Sequence, residues 1–156
     1  MDFDLSLEQR MLVQTIREFI SKELYPLEQE VEESGSLDPD KAQQIKQKSL
    51  NLGLYALNVP ESFGGAGLPT LDWILAEEQF GHTTDILVRR AFGNIYNLLF
   101  EGTPEQVERW LLPSVRGERV FSIAFTEPEA GSDAAAIQTR AAKSDKGWTL
   151  NGKKHF

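Results

Sequence analysis

Between positions 7 and 111 the apolar residues fall mostly three or four apart, with charged residues filling the gaps, which predicts a series of amphipathic helices. The first opens at Ser6-Leu7-Glu8-Gln9, where the Ser6 hydroxyl and the Gln9 amide can serve each other's backbone N–H in a capping box. Leu7, Met11, Ile16, Phe19 and Ile20 form its apolar stripe, and Pro26 kinks it or starts a second helix. Gly35 ends the acidic stretch that follows. Asp38-Pro39 is a start signal, an N-cap followed by a proline whose missing N–H is harmless at the first helical position. That helix carries Ile45, Leu50 and Leu52 and stops at Gly53. Residues 61–69 are so densely punctuated by glycine and proline that they read as a loop. Thr70 is expected to cap a helix bearing Leu71, Ile74, Leu75 and Phe80, closed by Gly81. Another helix is expected over residues 84–100, with Ile95, Leu98, Leu99 and Phe100 in the core. Thr103-Pro104-Glu105-Gln106 repeats the capping logic ahead of Val107, Trp110 and Leu111.

The pattern then changes period. In Val120-Phe121-Ser122-Ile123-Ala124-Phe125, Ser122 and Ala124 fall on one side of a strand and Phe121, Ile123 and Phe125 on the other. Residues 137–142 are expected to form a second strand, and Trp148-Thr149-Leu150 a third, running into a hairpin turn at Asn151-Gly152. The chain is thus mainly α: an all-α domain over residues 1–118, then the beginning of a β domain over residues 119–156. A β unit so short cannot close on itself or cover its own edges, so the chain is expected to be truncated.

Composition narrows the chemistry. The 156 residues carry 16 Lys plus Arg against 24 Asp plus Glu, a net charge of −8 that repels phosphate backbones and argues against nucleic acid as a partner. With no cysteine there is no disulfide, thiolate metal site or cysteine nucleophile. The two histidines, His82 and His155, are too few for a histidine metal centre, and His82 reads as a helix-end residue. The acidic start lacks the basic, apolar form of a secretory signal, and no apolar run reaches the ~20 residues of a membrane span, so a cytoplasmic location is expected.

The chemistry is expected in Thr126-Glu127-Pro128-Glu129-Ala130-Gly131-Ser132-Asp133. Pro128 has no N–H and ends the ladder after Phe125. Ala130 to Asp133 should then turn, with Gly131 supplying unusual dihedrals and leaving amides aimed at a ligand. A strand end with free amides, carbonyls and the Thr126 hydroxyl can read the edge of a flavin, and donors there would stabilise charge developing on reduction. The same residues also suit a plain strand and capped turn.

The segment closely resembles the T-E-P-x-A-G-S-D signature of acyl-CoA dehydrogenases, matching all seven of its fixed positions. Three flanking segments agree. Pro60-Glu61-Ser62-Phe63-Gly64-Gly65-Ala66-Gly67 is similar to the family's P-E-x-[FY]-G-G-x-G loop. Gly102 to Gln106, with Leu112-Pro113 and Gly117-Glu118, is similar to the helix leading into its β domain. Asn151-Gly152-Lys153-Lys154-His155-Phe156 resembles the start of N-G-x-K-x-[WF]-I-[TS]-N. The resemblance implies the family's N-terminal helical domain followed by the first strands of an incomplete β-barrel domain. It implies FAD as cofactor, and an acyl-CoA thioester oxidised to the α,β-enoyl-CoA. Electron-transfer flavoprotein or a similar acceptor, and a homotetramer at full length, follow from it as well.

By the same resemblance Ile123, Phe125 and Thr126 would contact the flavin, Gly131 and Ser132 would meet the cofactor, and Phe156 is the aromatic beside the ring. Ser132 would also lie beside the substrate. Glu127 and Asp133 read as structural, since a carboxylate facing a reduced flavin would oppose its charge. The family's catalytic base belongs to a later helical domain, and the threonine near flavin N5 would stand two residues past Phe156. No catalytic residue is therefore assigned here, and the chain alone is expected to bind FAD weakly or not at all. Same-fold flavin hydroxylases, carrier-protein thioester dehydrogenases and a short non-catalytic interaction module are the other readings.

Three other features complete the sequence. Gly64-Gly65-Ala66-Gly67 lacks the spacing of a phosphate loop. Trp73 and Trp110 are expected in the core. Arg89 and Arg90 suit a solvated helix face; alternatively Arg89 faces the acyl pocket and favours a polar or acidic acyl group.

Overall fold

A computed structural model describes residues 4–93 and 95–156. The chain folds as two compact units, a helical one ending at Phe121 and a second over Ser122–Phe156.

The helical unit opens with α1 (Leu7–Phe19), held by the expected capping box: the Gln9 N–H donates to Ser6 Oγ at 3.2 Å and the Ser6 N–H to Gln9 Oε1 at 2.9 Å. Ahead of Pro26 the chain widens into a π-helical turn, Ile20–Leu24, and resumes as α2 (Tyr25–Ser34) with the proline in its first turn. The loop-forming Gly35 then ends α2 in the left-handed conformation. Asp38 caps α3 (Pro39–Asn51) as its sequence predicts, accepting from the amides of Asp40 and Lys41. The helix α4 (Thr70–Phe80) starts differently: Pro69 occupies the cap position, and Thr70, already helical, caps nothing.

The helix expected over residues 84–100 is shorter. Its regular part, α5 (Asp85–Phe92), stops at Gly93, whose φ of 79° and ψ of 177° no helix accommodates. A 3₁₀ turn, Asn97–Glu101, follows. Thr103 and Gln106 form the second capping box at the start of α6 (Pro104–Gln106), which continues through a π turn, Val107–Leu111, into α7 (Leu112–Val115).

Packing sorts the apolar stripes. Helix α1 lies on α4, and α3 on α5. Ile16, Phe19, Ile20, Leu24, Ile45 and Leu87 are buried between them, with Phe92 stacked on Phe80 at 4.2 Å and tilted on Phe19 at 5.4 Å between centroids. Polar ties fix the α1–α4 register: Arg17 Nε donates to the buried Gln79 Oε1 at 2.6 Å, and Gln9 Nε2 to Asp72 Oδ1 at 2.8 Å. A second cluster gathers Ala56, Val59, Ile95, Leu111 and Val115.

Several expected core residues are not buried. Leu7, Met11, Leu52, Leu71, Ile74 and Leu98 are exposed; Leu52 lies past the end of α3 and Leu98 in the 3₁₀ turn, where the helical period no longer sets the buried face. Trp73 packs partly against the core, but Trp110 is exposed, with the guanidinium groups of Arg109 and Arg119 each 4.9 Å from its ring centre.

Residues 120–126, which pass from the first unit into the second, form no strand, because among the described residues no neighbour offers a ladder to them. The sheet is a single hairpin, β1 (Arg140–Ser144) antiparallel to β2 (Gly147–Asn151), with Ala142 opposite Thr149. The strand expected over 137–142 therefore starts three residues later. The hairpin turns at Asp145-Lys146 rather than Asn151-Gly152, where β2 instead ends. The glycine at 152 serves a close approach: a Cβ there would stand 2.1 Å from Thr139 Oγ1.

Candidate functional site

The 126–133 segment is built around a buried carboxylate. Glu127 and Ala130 exchange backbone hydrogen bonds, Glu127 N–H to Ala130 O at 2.9 Å and Ala130 N–H to Glu127 O at 3.2 Å, so Pro128 and Glu129 form a tight turn. Pro128 suits that place because the turn asks nothing of its missing N–H. The turn throws the Glu127 side chain inward, where the residue is 6% exposed. Its carboxylate accepts from the amides of Gln138 (2.7 Å) and Thr139 (3.0 Å), from the Thr139 hydroxyl, and from Lys154 Nζ at 2.9 Å. The Thr139 hydroxyl, the Gln138 amide and the Lys154 ammonium hold the Glu127 carboxyl at about 2, far below the ordinary carboxylate range. Glu127 is thus an ionised hub joining three segments, not a group presented to a ligand. Asp133 is equally local: its carboxylate accepts from the Ala135 amide at 3.1 Å and caps the 3₁₀ turn Ala134–Ala136.

What this hub leaves outside is the candidate surface. Ser122, Ile123, Ala124, Phe125 and Thr126 are exposed, as are Gly131, Ser132 and Phe156. The segment after β2 folds back along them, with the His155 N–H donating to Thr126 O at 3.0 Å and Lys154 Nζ to Phe125 O at 2.9 Å. Phe156 is thereby carried next to the Thr126 region with 91% of its surface exposed. Among the described residues, the amides of Thr126, Gly131 and Ser132 donate to no protein acceptor. Gly131 is not in the left-handed region, so the expected unusual dihedral is absent. A Cβ there would meet nothing within 4 Å, so the fold itself does not require glycine at this position.

These features fit a flavin edge. The free groups are amides and hydroxyls, the neutral donors that a row of ring acceptors needs, and the Glu127 carboxylate is tied inward onto Lys154. The residues expected at the site from sequence are exposed, while the buried partners Lys154, Gln138 and Thr139 were not expected. Lysine in the Asn-Gly-Lys-Lys run was the available signal, since a buried glutamate needs a cation close by.

Arg89 belongs to the helical unit. Its Nε pairs with Asp85 Oδ2 at 2.5 Å, one turn back on α5, and its side chain is 48% exposed. It lines a depression with Asn58, Trp73, Glu77 and Asp85. Desolvation there pushes the Glu77 carboxyl up while Arg89 pulls it down. Arg90 is exposed, on the solvated face expected of it. His82 ends α4, its N–H donating to Gln79 O at 3.1 Å. The amides of Gly64, Gly65, Ala66 and Gly67 all donate to backbone carbonyls of residues 56–61, so that loop offers no cradle to a phosphate. Among the described residues no group of His, Asp and Glu could hold a metal ion, and no helix is long and apolar enough to cross a membrane.

The family model described as acyl-CoA dehydrogenase, N-terminal domain, matches residues 6–118, and that described as acyl-CoA dehydrogenase, middle domain, matches residues 122–156. The mitochondrial short-chain specific acyl-CoA dehydrogenase of Homo sapiens is 37% identical over 149 residues, 93% of this chain and 35% of that protein. The caffeyl-CoA reductase-Etf complex subunit CarC of Acetobacterium woodii is 33% identical over 154 residues, 96% of this chain and 40% of that protein. Among solved structures, the acyl-CoA dehydrogenase complexed with FAD from Bacillus anthracis superposes with a TM-score of 0.78 at 31% identity, over 97% of this chain and 26% of that one. The chain spans well under half the length of each of these relatives. With both family patterns matched and a mostly helical fold carrying one hairpin, the chain belongs to the acyl-CoA dehydrogenase family.

Proposed function

We propose that the protein to which these residues belong is an FAD-dependent dehydrogenase that oxidises an acyl-CoA thioester to the α,β-enoyl-CoA. The observation that carries this reading is the exposed row of free amides and hydroxyls around Thr126, Gly131 and Ser132, with the Glu127 carboxylate tied inward. Residues 1–118 are then the N-terminal all-α domain and 119–156 the start of the flavin-binding β domain.

In this proposal Ile123, Phe125 and Thr126 present main chain to the flavin ring, with the Thr126 hydroxyl among the donors. Gly131 and Ser132 meet the cofactor, and the bare Cα of Gly131 allows close approach. Ser132 would also lie beside the thioester, and the Phe156 ring would pack near the isoalloxazine. When bound, FAD supplies the two-electron oxidation of the acyl chain. The chain's own part is to orient the ring, to offer donors where negative charge develops, and to keep the Glu127 charge away from it. None of its carboxylates is assigned as the base. Arg89 is proposed to favour a polar or acidic acyl group by a charge-assisted pair. By analogy with the Etf-complex relative, an electron-transfer flavoprotein is the proposed acceptor, with a cytoplasmic homotetramer as the working assembly.

Anaerobic mixing of the full-length protein with a panel of acyl-CoAs tests this. Bleaching of the oxidised flavin by at least one member is expected, with Arg89→Ala losing any preference for carboxylated over straight chains. No bleaching across straight, branched and carboxylated acyl-CoAs contradicts the reading.

A further inference from the structure

The surroundings of Phe125 and Thr126 carry one more step. A trans peptide is planar, so its N–H points away from its C=O. No described peptide is cis. The Phe125 carbonyl and the Thr126 N–H share one such plane. The carbonyl accepts from Lys154 Nζ at 2.9 Å, and the same ammonium donates to Glu127 Oε1 at 2.9 Å. One peptide further, Thr126 O accepts from His155 N–H at 3.0 Å, and the Glu127 N–H opposite it donates to Ala130 at 2.9 Å. Segment 122–126 belongs to no ladder, so these bonds set the aim of its last amides.

We infer that Lys154 is a positioning residue for the flavin: seated on Glu127, its ammonium pins the Phe125 carbonyl and so turns the Thr126 N–H outward as a donor to the cofactor edge. The ammonium is well suited to this. It is a compact cation with three donors, two of which are spent here on the carboxylate and the carbonyl. Its side chain is 23% exposed and that of Glu127 5%, so the pair is shielded and its geometry is held rather than averaged by water. Glu127, a buried charge that the oxidation itself does not need, acquires a role as the seat of this lysine.

The inference rests on the flavin reading above, and the experiment separates the two. Full-length apoprotein is titrated with FAD as wild type, Lys154→Met, Lys153→Met and Lys154→Arg, and the midpoint potential of each bound flavin is measured. Methionine keeps the length and loses the charge. Lys154→Met is expected to weaken FAD binding about tenfold, the worth of one well-placed hydrogen bond, and to make the bound flavin harder to reduce. Lys154→Arg is expected to recover part of both, and Lys153→Met to match wild type. A merely stabilising lysine would lower the melting temperature and leave the affinity and potential of the folded protein unchanged. That result, in a folded Lys154→Met, overturns the inference. Should the single variant not fold because Glu127 is left unpaired, Glu127→Gln with Lys154→Met leaves no buried charge and carries the same test. Wild type that binds no FAD overturns the flavin reading, and this inference with it.

Discussion

Glu127 shows how a single residue can be misjudged from its type. An acidic side chain beside exposed, unpaired amides suggests catalysis, yet four donors consume this one. The pH dependence follows from the sign of the shift. The folded-state value, about 2, lies below the ~4.3 of a free glutamate. Folding therefore favours the ionised form; its contribution is whole above about pH 5 and is lost as pH falls toward 2. A carboxyl titration followed by NMR should place Glu127 well below every exposed glutamate, and an ordinary value would contradict the network. Gly131 makes the opposite case. Nothing lies within 4 Å of where its Cβ would be, so Gly131→Ala should change stability by no more than about 0.5 kcal/mol. Weakened FAD binding at unchanged melting temperature would mark a glycine kept for a ligand; equal binding would mark an idle one.

Among elements, three helix starts were readable from partners within four residues, although the cap expected of Thr70 did not form. Ser6 with Gln9 and Thr103 with Gln106 form their boxes, and Asp38 with Pro39 starts α3, because capping is chemistry between near neighbours. Legibility failed where a distant partner decides. Residues 120–125 alternate like a strand but have no ladder among the described residues. Asn151-Gly152 carries hairpin turn chemistry, but the pairing of Arg140 with Asn151 places the turn at Asp145-Lys146. In the site, the exposed residues were legible as a motif; the Lys154 bond to Glu127, 27 positions away, was not. Helix α3 also holds a removable defect. Ser49 is fully buried and its hydroxyl has no partner among the described residues, so Ser49→Ala should raise stability by about 1 kcal/mol in thermal unfolding. A loss instead would mean that the hydroxyl has a partner.

The whole molecule is a helical unit with its own buried core and a second unit with one hairpin and a hub of hydrogen bonds. Its relatives are more than twice as long, and in the second unit both strands of the hairpin are exposed throughout. The 156-residue chain by itself should therefore retain little or no FAD, and stoichiometric yellow flavin surviving its gel filtration would contradict that. We propose that the free groups around Thr126 and Ser132 hold the flavin of the full-length protein. Flavin content of the full-length protein after gel filtration tests it most directly, for wild type and for Thr126→Ala with Ser132→Ala. Close to one FAD per chain is expected in wild type, with loss of FAD in the double variant; a colourless wild type, or a double variant that keeps its FAD at wild-type affinity, would overturn that role.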